Sequence, residues 1–288
     1  MTTPRDPSYH WLGEDLDLDA YLARIGFTGD REPTLDTLRR LVHAHTTTLP
    51  FENLEIILGR GIPLDLETIQ DKMIRHRRGG YCYENVALFA AALERLGFDF
   101  TGLSGRVSMG APKLLAATHA MVRVVIDGQA WLCDVGFGSG PLEPIELTAD
   151  RGEFALGAWR YRLERGATAL GTEQWTLHHF GRDGWIDRHT VDVNPAYRID
   201  YEVGNHYVST WPRSPFTTRP FIQRFLPELH HVIDGTTWTT EYPDGTFEVR
   251  ELEPAELPKV LEEAFDIELD APDAAKLALG EWPARRAG

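Results

Sequence analysis

The hydrophobic period of this chain changes near residue 97, and that change constrains the fold more than any other feature. Before it, apolar residues recur at helical spacing. In "DLDAYLARIGF" Leu18, Tyr21, Leu22 and Ile25 share one stripe that stops at Gly26, and "TLDTLRRLVHAH" repeats it with Leu35, Leu38, Leu41 and Val42. "DLETIQDKMIRH" adds Leu66, Ile69 and Met73. A fourth segment begins at Cys82 and carries Val86, Phe89, Leu93 and Leu96 up to Gly97, with Gly79 and Gly80 just upstream. From Phe98 onward the pattern is short β runs punctuated by Asp-Gly at 127–128 and 183–184, which predicts hairpins and an antiparallel sheet or barrel. After "NPAYRIDYEVGNHYVSTWPRSPF" come hairpin signals at Asp234-Gly235 and Asp244-Gly245 and a final helix in "PAELPKVLEEAF". The order predicts an α+β fold in three parts, 1–97, 98–200 and 201–288.

With 288 residues the chain is long enough for about two domains, and 42% hydrophobic with 25% charged residues is ordinary globular usage. Lysine and arginine total 29 against 44 acidic residues, a net charge of −15 that repels a phosphate backbone and argues against nucleic acid as a partner. The stretch "MTTPRDPSYHWLGEDLDLDA" has no apolar signal core, and no run reaches membrane-spanning length, so the expected location is cytoplasmic, with no membrane partner. Two cysteines cannot form a disulfide framework. In a reducing compartment each is free to do chemistry.

The stretch "RHRRGGYCYENVALF" places Cys82 at the start of a predicted helix. Unpaired backbone N–H groups and the positive end of the helix dipole favour a thiolate there, and Arg75, Arg77 and Arg78 are expected to add to the effect. The alternative is a small hydrophobe buried in a turn.

A base for such a thiol is sought among eleven histidines. "THAMVRVVIDGQAWLCDVGFG" reads as a hairpin with a two-residue Asp127-Gly128 loop, so Ile126 pairs with Gln129 and Met121 faces Asp134. His119 and Asp134 then share a face, one diagonal and about 7–8 Å apart along the backbone. A three-residue loop would put them on opposite faces. The same register sets Cys133 opposite Val122, beside Ala120, Val124, Trp131 and Val135, on the apolar side. Taken singly, His119 is equally a histidine on a wet strand face and Asp134 a strand-end carboxylate.

The ordered segments "LPFENLEIILGRGIPLD", "RRGGYCYENV", "THAMVRV" and "DVGFGSGPL", with "NHYVSTWPRSPF" later, resemble the arylamine N-acetyltransferases over most of the chain. Tyr83 stands where that family usually has Phe. The resemblance implies a catalytic triad of Cys82, His119 and Asp134 on a cysteine-protease-like core, built from an N-terminal helical bundle, a central antiparallel β-barrel, and a linker helix with an α/β lid. It also implies acetyl-coenzyme A as co-substrate, with no tightly bound cofactor, and a small aromatic amine or hydrazine as acceptor. Phe51, Phe137 and Phe216 correspond to aromatics around the acceptor pocket, where a ring could stack. The chemistry suits these residue types, because a thiolate attacks a thioester, an imidazole moves the proton and a carboxylate fixes the imidazole.

"GFGSG", Gly136–Gly140, is followed by Pro141 and a β-like run, so it fails as a dinucleotide fingerprint. Gly136 and Gly138 still allow backbone N–H groups to approach a phosphate or acyl oxygen, which marks them as candidate cofactor contacts. His178-His179, His230-His231 and the histidines at 43 and 45 lack a recognised zinc spacing, and no metal is expected. Competing readings are a cysteine hydrolase, an amide synthase closing macrolactams, and a catalytically silent binding module. Oligomeric state is not legible in the pattern.

Overall fold

The computed structural model, which describes residues 9–111, 113–148 and 152–282, forms helices where the apolar stripes predict them. Helix α1 (Leu18–Arg24) is capped by Asp17, whose side chain accepts the Ala20 N–H, and ends before Gly26 at φ 66°. In α2 (Leu35–Thr48) the cap is Thr34, which accepts from Thr37. Strand β1 (Phe51–Glu52) and the single turn α3 (Leu54–Ile57) follow. Next, α4 (Leu66–Gln70), capped by Asp65, runs into a π-helical turn at Asp71–Arg75. The long helix α5 (Cys82–Arg95) stops ahead of Gly97 at φ 80°.

Eight strands build the middle of the chain: β2 (Asp99–Val107), β3 (His119–Ile126), β4 (Gln129–Cys133), β5 (Ile145–Glu146), β6 (Gly152–Leu156), β7 (Trp159–Ala167), β8 (Glu173–Gly181) and β9 (Gly184–Asp192). They form one antiparallel sheet in the order β5-β4-β3-β2-β9-β8-β7-β6. Among the described residues its edges are β5 and β6, so the expected antiparallel β-barrel takes the form of a curled half-barrel. Strand β5 is two residues long and ladders only with β4 among the described residues.

Helix α6 (Arg198–Thr210) then leads to β10 (Phe221–Phe225), β11 (His230–Asp234), β12 (Thr237–Glu241) and β13 (Phe247–Glu251), followed by α7 (Leu257–Phe265) and α8 (Ala271–Ala278). This second sheet has the order β1-β10-β11-β12-β13, so its first strand comes from the helical region, with Phe51 opposite Gln223. Phe51 also bridges Gly80, two residues before α5, so this sheet adjoins the start of that helix. No helix among the described residues is long and apolar enough to cross a membrane.

The Asp127-Gly128 hairpin has the register that alternation predicts: Ile126 opposite Gln129 and Val122 opposite Cys133. Its two faces separate two cores. Ala120, Val122, Val124, Trp131 and Cys133 pack with the helices, whereas Leu103, Met121 and Leu132 pack with the far strands, including Tyr161 and Leu177. Each large apolar side chain so buried is worth about 1.5–3 kcal/mol. Tyr201 of α6 reaches the sheet with its hydroxyl, which lies 2.9 Å from the Leu103 carbonyl oxygen and 2.8 Å from that of Met121. Gly204, mid-helix in α6, faces Tyr83, and a Cβ there would overlap the Tyr83 hydroxyl. The helix thus accepts a poor helix former to seat that phenol.

Candidate active site

The two glycines before Cys82 are a packing requirement. A Cβ on Gly79 would overlap the Pro50 carbonyl oxygen, and one on Gly80 would come within 2.8 Å of Glu84 Cβ. The glycine backbone therefore lies directly against the strand that opens with Phe51: Gly80 N–H donates to Pro50 O at 3.1 Å, and Glu52 N–H donates to Gly80 O at 3.2 Å. Asn85 holds the same turn with its amide on Gly80 O, and His45 holds Asn85, Nε2 to Oδ1 at 3.1 Å. Burial pushes the His45 imidazole down to about 4, so it serves as a neutral strut.

A buried ionic cluster fixes the start of α5. Glu84 accepts the Tyr81 N–H at 3.0 Å, Lys72 Nζ bridges Glu84 at 2.8 Å and Glu52 at 3.3 Å, and Arg78 pairs with Glu52 at 2.8 Å. Burial alone would depress Lys72, but Glu52 and Glu84 outweigh it and hold the ammonium above its ordinary value. The expected contribution of the arginines to the thiolate is corrected by these contacts. Arg78 is held by Glu52 and Glu55, Arg75 by Glu67 and Asp71, and Arg77 by Asp266 and Glu268. Their charge is neutralised by carboxylates.

Cys82, only 4% exposed, is the first residue of α5, with its sulfur 3.8 Å from the carbonyl oxygen of Thr118. The next residue is His119, whose Nε2 lies 2.8 Å from Asp134 Oδ1. With Nε2 engaged, Nδ1 is the nitrogen available to the thiol. Burial would lower the His119 imidazole; the charge and hydrogen bond of Asp134, with a further contribution from Cys82, reverse this and hold it at about 9. Burial likewise would raise Asp134, but His119, then His189 and Arg188, hold its carboxyl below the usual range. Cys133 lies in the apolar core, and burial pushes its thiol far up. The Cys82 thiol, the His119 imidazole and the Asp134 carboxylate are therefore contiguous, and the second cysteine lies on the apolar side of the hairpin.

Two neighbours of Asp134 were not legible in the sequence. Between β8 and β9 the register slips at Leu177/His178: Leu177 faces His189 while His178 faces Asp187, leaving Arg188 as the extra residue of a β-bulge. Arg188 and His189 are consequently both fully buried, although they are adjacent in a strand. Arg188 Nη2 lies 3.7 Å from Asp134 Oδ2, and His189 Nδ1 lies 3.8 Å from the same oxygen. Strict alternation would have turned one of them outward. His119, Asp134 and His189 form the one group of potential metal ligands found among the described residues, but the Arg188 guanidinium beside the shared carboxylate opposes a second cation.

Similarity to known proteins agrees with this geometry. A family model described as N-acetyltransferase matches residues 34–274. The sequence is 34% identical over 263 residues to the arylamine N-acetyltransferase of Escherichia coli, covering 88% of this chain and 89% of that one. The chain belongs to the arylamine N-acetyltransferase family. Among solved structures of arylamine N-acetyltransferases, that from Nocardia farcinica matches with a TM-score of 0.95 and 63% identity, covering 97% of this chain and 99% of the other. The Mycobacterium marinum arylamine N-acetyltransferase, solved in complex with CoA, matches with a TM-score of 0.81 and 32% identity, covering 92% and 98%.

In this member of the arylamine N-acetyltransferase family the three singled-out phenylalanines fall into two groups. Phe51 and Phe216 meet at 5.5 Å between ring centroids and share Phe221, while Phe137 stands edge-on to His119 at 5.0 Å. Gly136 and Gly138 connect these groups by close approach. A Cβ on Gly136 would lie 2.8 Å from Cys82 Cα, and one on Gly138, at φ 90°, would lie 2.6 Å from both Phe51 Cβ and Gln223 Nε2. Gln223, absent from the sequence reading, donates to the Phe137 carbonyl at 3.1 Å and so ties the glycine loop to the second sheet.

Proposed function

We propose that this chain moves an acetyl group from acetyl-coenzyme A to an aromatic amine, hydrazine or N-hydroxyarylamine through an acetyl-Cys82 intermediate. The observation that carries the reading is the contiguity of the buried Cys82 thiol, the His119 imidazole and the Asp134 carboxylate. His119 takes the Cys82 proton, and the thiolate adds to the thioester carbonyl. Collapse of the adduct breaks the bond to the coenzyme's sulfur, which leaves with that proton. The amine then attacks the acetyl-cysteine, His119 accepts the amine's proton and returns it to sulfur, and the amide departs. Asp134 keeps the imidazole in one tautomer and stabilises its charged form.

Phe51, Phe137 and Phe216 are the aromatic surfaces against which an acceptor ring would stack. Gly136 and Gly138, whose backbone approaches Cys82 and Phe51 without side chains, are the proposed contacts for the acyl donor. We read 1–97 as the part carrying the nucleophile, 98–200 as the part carrying His119 and Asp134, and 201–288 as a linker helix with an α/β lid, around a cysteine-protease-like core. The proposed setting is cytoplasmic, with no cofactor held tightly between turnovers.

Steady-state kinetics with acetyl-coenzyme A and an arylamine test this. The reading expects parallel double-reciprocal lines at several fixed amine concentrations. Intersecting lines contradict it by indicating direct transfer in a ternary complex, and continuous coenzyme A release without amine contradicts it in favour of hydrolysis.

A further inference from the structure

We propose that Arg188 is a positioning residue for acetyl transfer, one that holds the second oxygen of Asp134 and the Phe137 loop in a single arrangement and thereby keeps His119 aligned with Cys82. The inference rests on the triad reading above and concerns a residue that reading does not use.

Arg188 is fully buried, and the bulge opposite Leu177 and His178 is what turns it inward. A buried guanidinium needs both a counter-charge and acceptors. The acceptors are the carbonyl oxygens of Ser139, at 2.7 Å from Nη1, and of Gly140, both in the loop that follows Asp134. The plane of the same guanidinium covers the Phe137 ring, with Cζ 3.7 Å from its centroid. One side chain thus grips three residues, Phe137, Ser139 and Gly140, of the loop that brings Phe137 against His119.

The counter-charge is Asp134. Around Arg188 stand Tyr161 on β7, His179 on β8, His189 next to it on β9 and His230 on β11 of the second sheet. Burial lowers His179 to about 4 and His189 to about 3, lowers His230 as well, and raises Tyr161, so all four are uncharged at neutral pH. Asp134 Oδ2 has no hydrogen-bond partner among the described residues, unlike Oδ1, which His119 occupies. The Arg188 charge at 3.7 Å therefore offsets the burial of that oxygen, the one His119 does not occupy. Arg188 favours the ionised form of this buried carboxylate; without it, burial would push Asp134 toward its neutral form and leave its second oxygen unheld, and His119 would lose the oriented carboxylate that makes it a base for Cys82.

The test is the pH dependence of Cys82 alkylation by iodoacetamide in wild type, R188Q, R188K and H119Q, with R188Q also placed in a D134N background. Wild type should show an acid limb that H119Q abolishes; its absence would overturn the triad reading, and this proposal with it. Given that limb, R188Q should displace it upward by roughly half a unit or more, whereas R188K, which keeps the charge, should leave it in place. In D134N the R188Q change should produce no further displacement. Superimposable wild-type and R188Q profiles, or an equal shift in the D134N background, would overturn the positioning role while leaving the triad intact. R188K supplies the second readout: an ammonium cannot grip two carbonyls and a ring, so KM for aniline should rise several-fold with kcat less affected. Should R188Q fail to fold, R188K decides, because a displaced limb with unchanged KM contradicts the proposal.

Discussion

His119 and Asp134 meet through Nε2 and Oδ1 at 2.8 Å because they lie at the open end of one hairpin whose two-residue loop fixes the register. The pairing holds the imidazole at about 9 in the folded protein, above its ordinary value near 6.5. Since the folded state binds this proton more tightly than the unfolded chain, the stabilisation is fully present below about pH 6.5 and is lost as pH rises through about 9. The stability advantage of wild type over H119Q, measured by urea unfolding, should therefore be larger near pH 6 than near pH 9.5. A constant difference across that range would contradict the coupling.

The hairpin also shows how much could be read in advance. Asp127-Gly128 and strict alternation sufficed to put His119 with Asp134 and Cys133 in the core, because a register and a period of two leave no freedom. Arg188 escaped for the converse reason: a one-residue bulge breaks the period, and nothing local in "GWIDRHTVD" marks it. The arginines before Cys82 misled because charge in a sequence does not reveal its partner, and Glu52, Glu67, Asp266 and Glu268 are distant or unremarkable in the pattern. Helix α3, a single turn, is too short for periodicity to detect.

Cys82 should be the thiol that reacts in the native protein. Burial and the neighbouring Asp134 carboxylate both push the Cys133 thiol up. C133A should leave iodoacetamide labelling at one equivalent, and C82A should abolish it. Labelling that survives in C82A and disappears in C133A would reverse the assignment.

Lys72 joins two buried carboxylates, Glu52 and Glu84, at the start of α5. K72M leaves both short of a partner and should cost about 3–5 kcal/mol in urea unfolding. Arg75, whose pairs with Glu67 and Asp71 are exposed, should tolerate alanine without a shift in the unfolding midpoint. Equal effects of the two substitutions would remove the structural role given to the buried cluster.

Gly204 should matter because of Tyr83. G204A is expected to destabilise the protein by about 1–3 kcal/mol through overlap with the phenol, in spite of alanine's better helix propensity. In a Y83F background the cost should shrink but persist, since the ring carbon Cζ would still lie 2.7 Å from the new Cβ. Additive effects in the double variant would mean that the two sites are not in contact.

The most direct test of the triad as an acyl carrier is to mix the protein with a small excess of acetyl-coenzyme A and no amine, quench, and map acetylated peptides by mass spectrometry. The account predicts one acetyl group, on Cys82, formed with at most one equivalent of coenzyme A and discharged as amide when an arylamine is added. Acetylation elsewhere, or none while amide still forms on adding the amine, would contradict it.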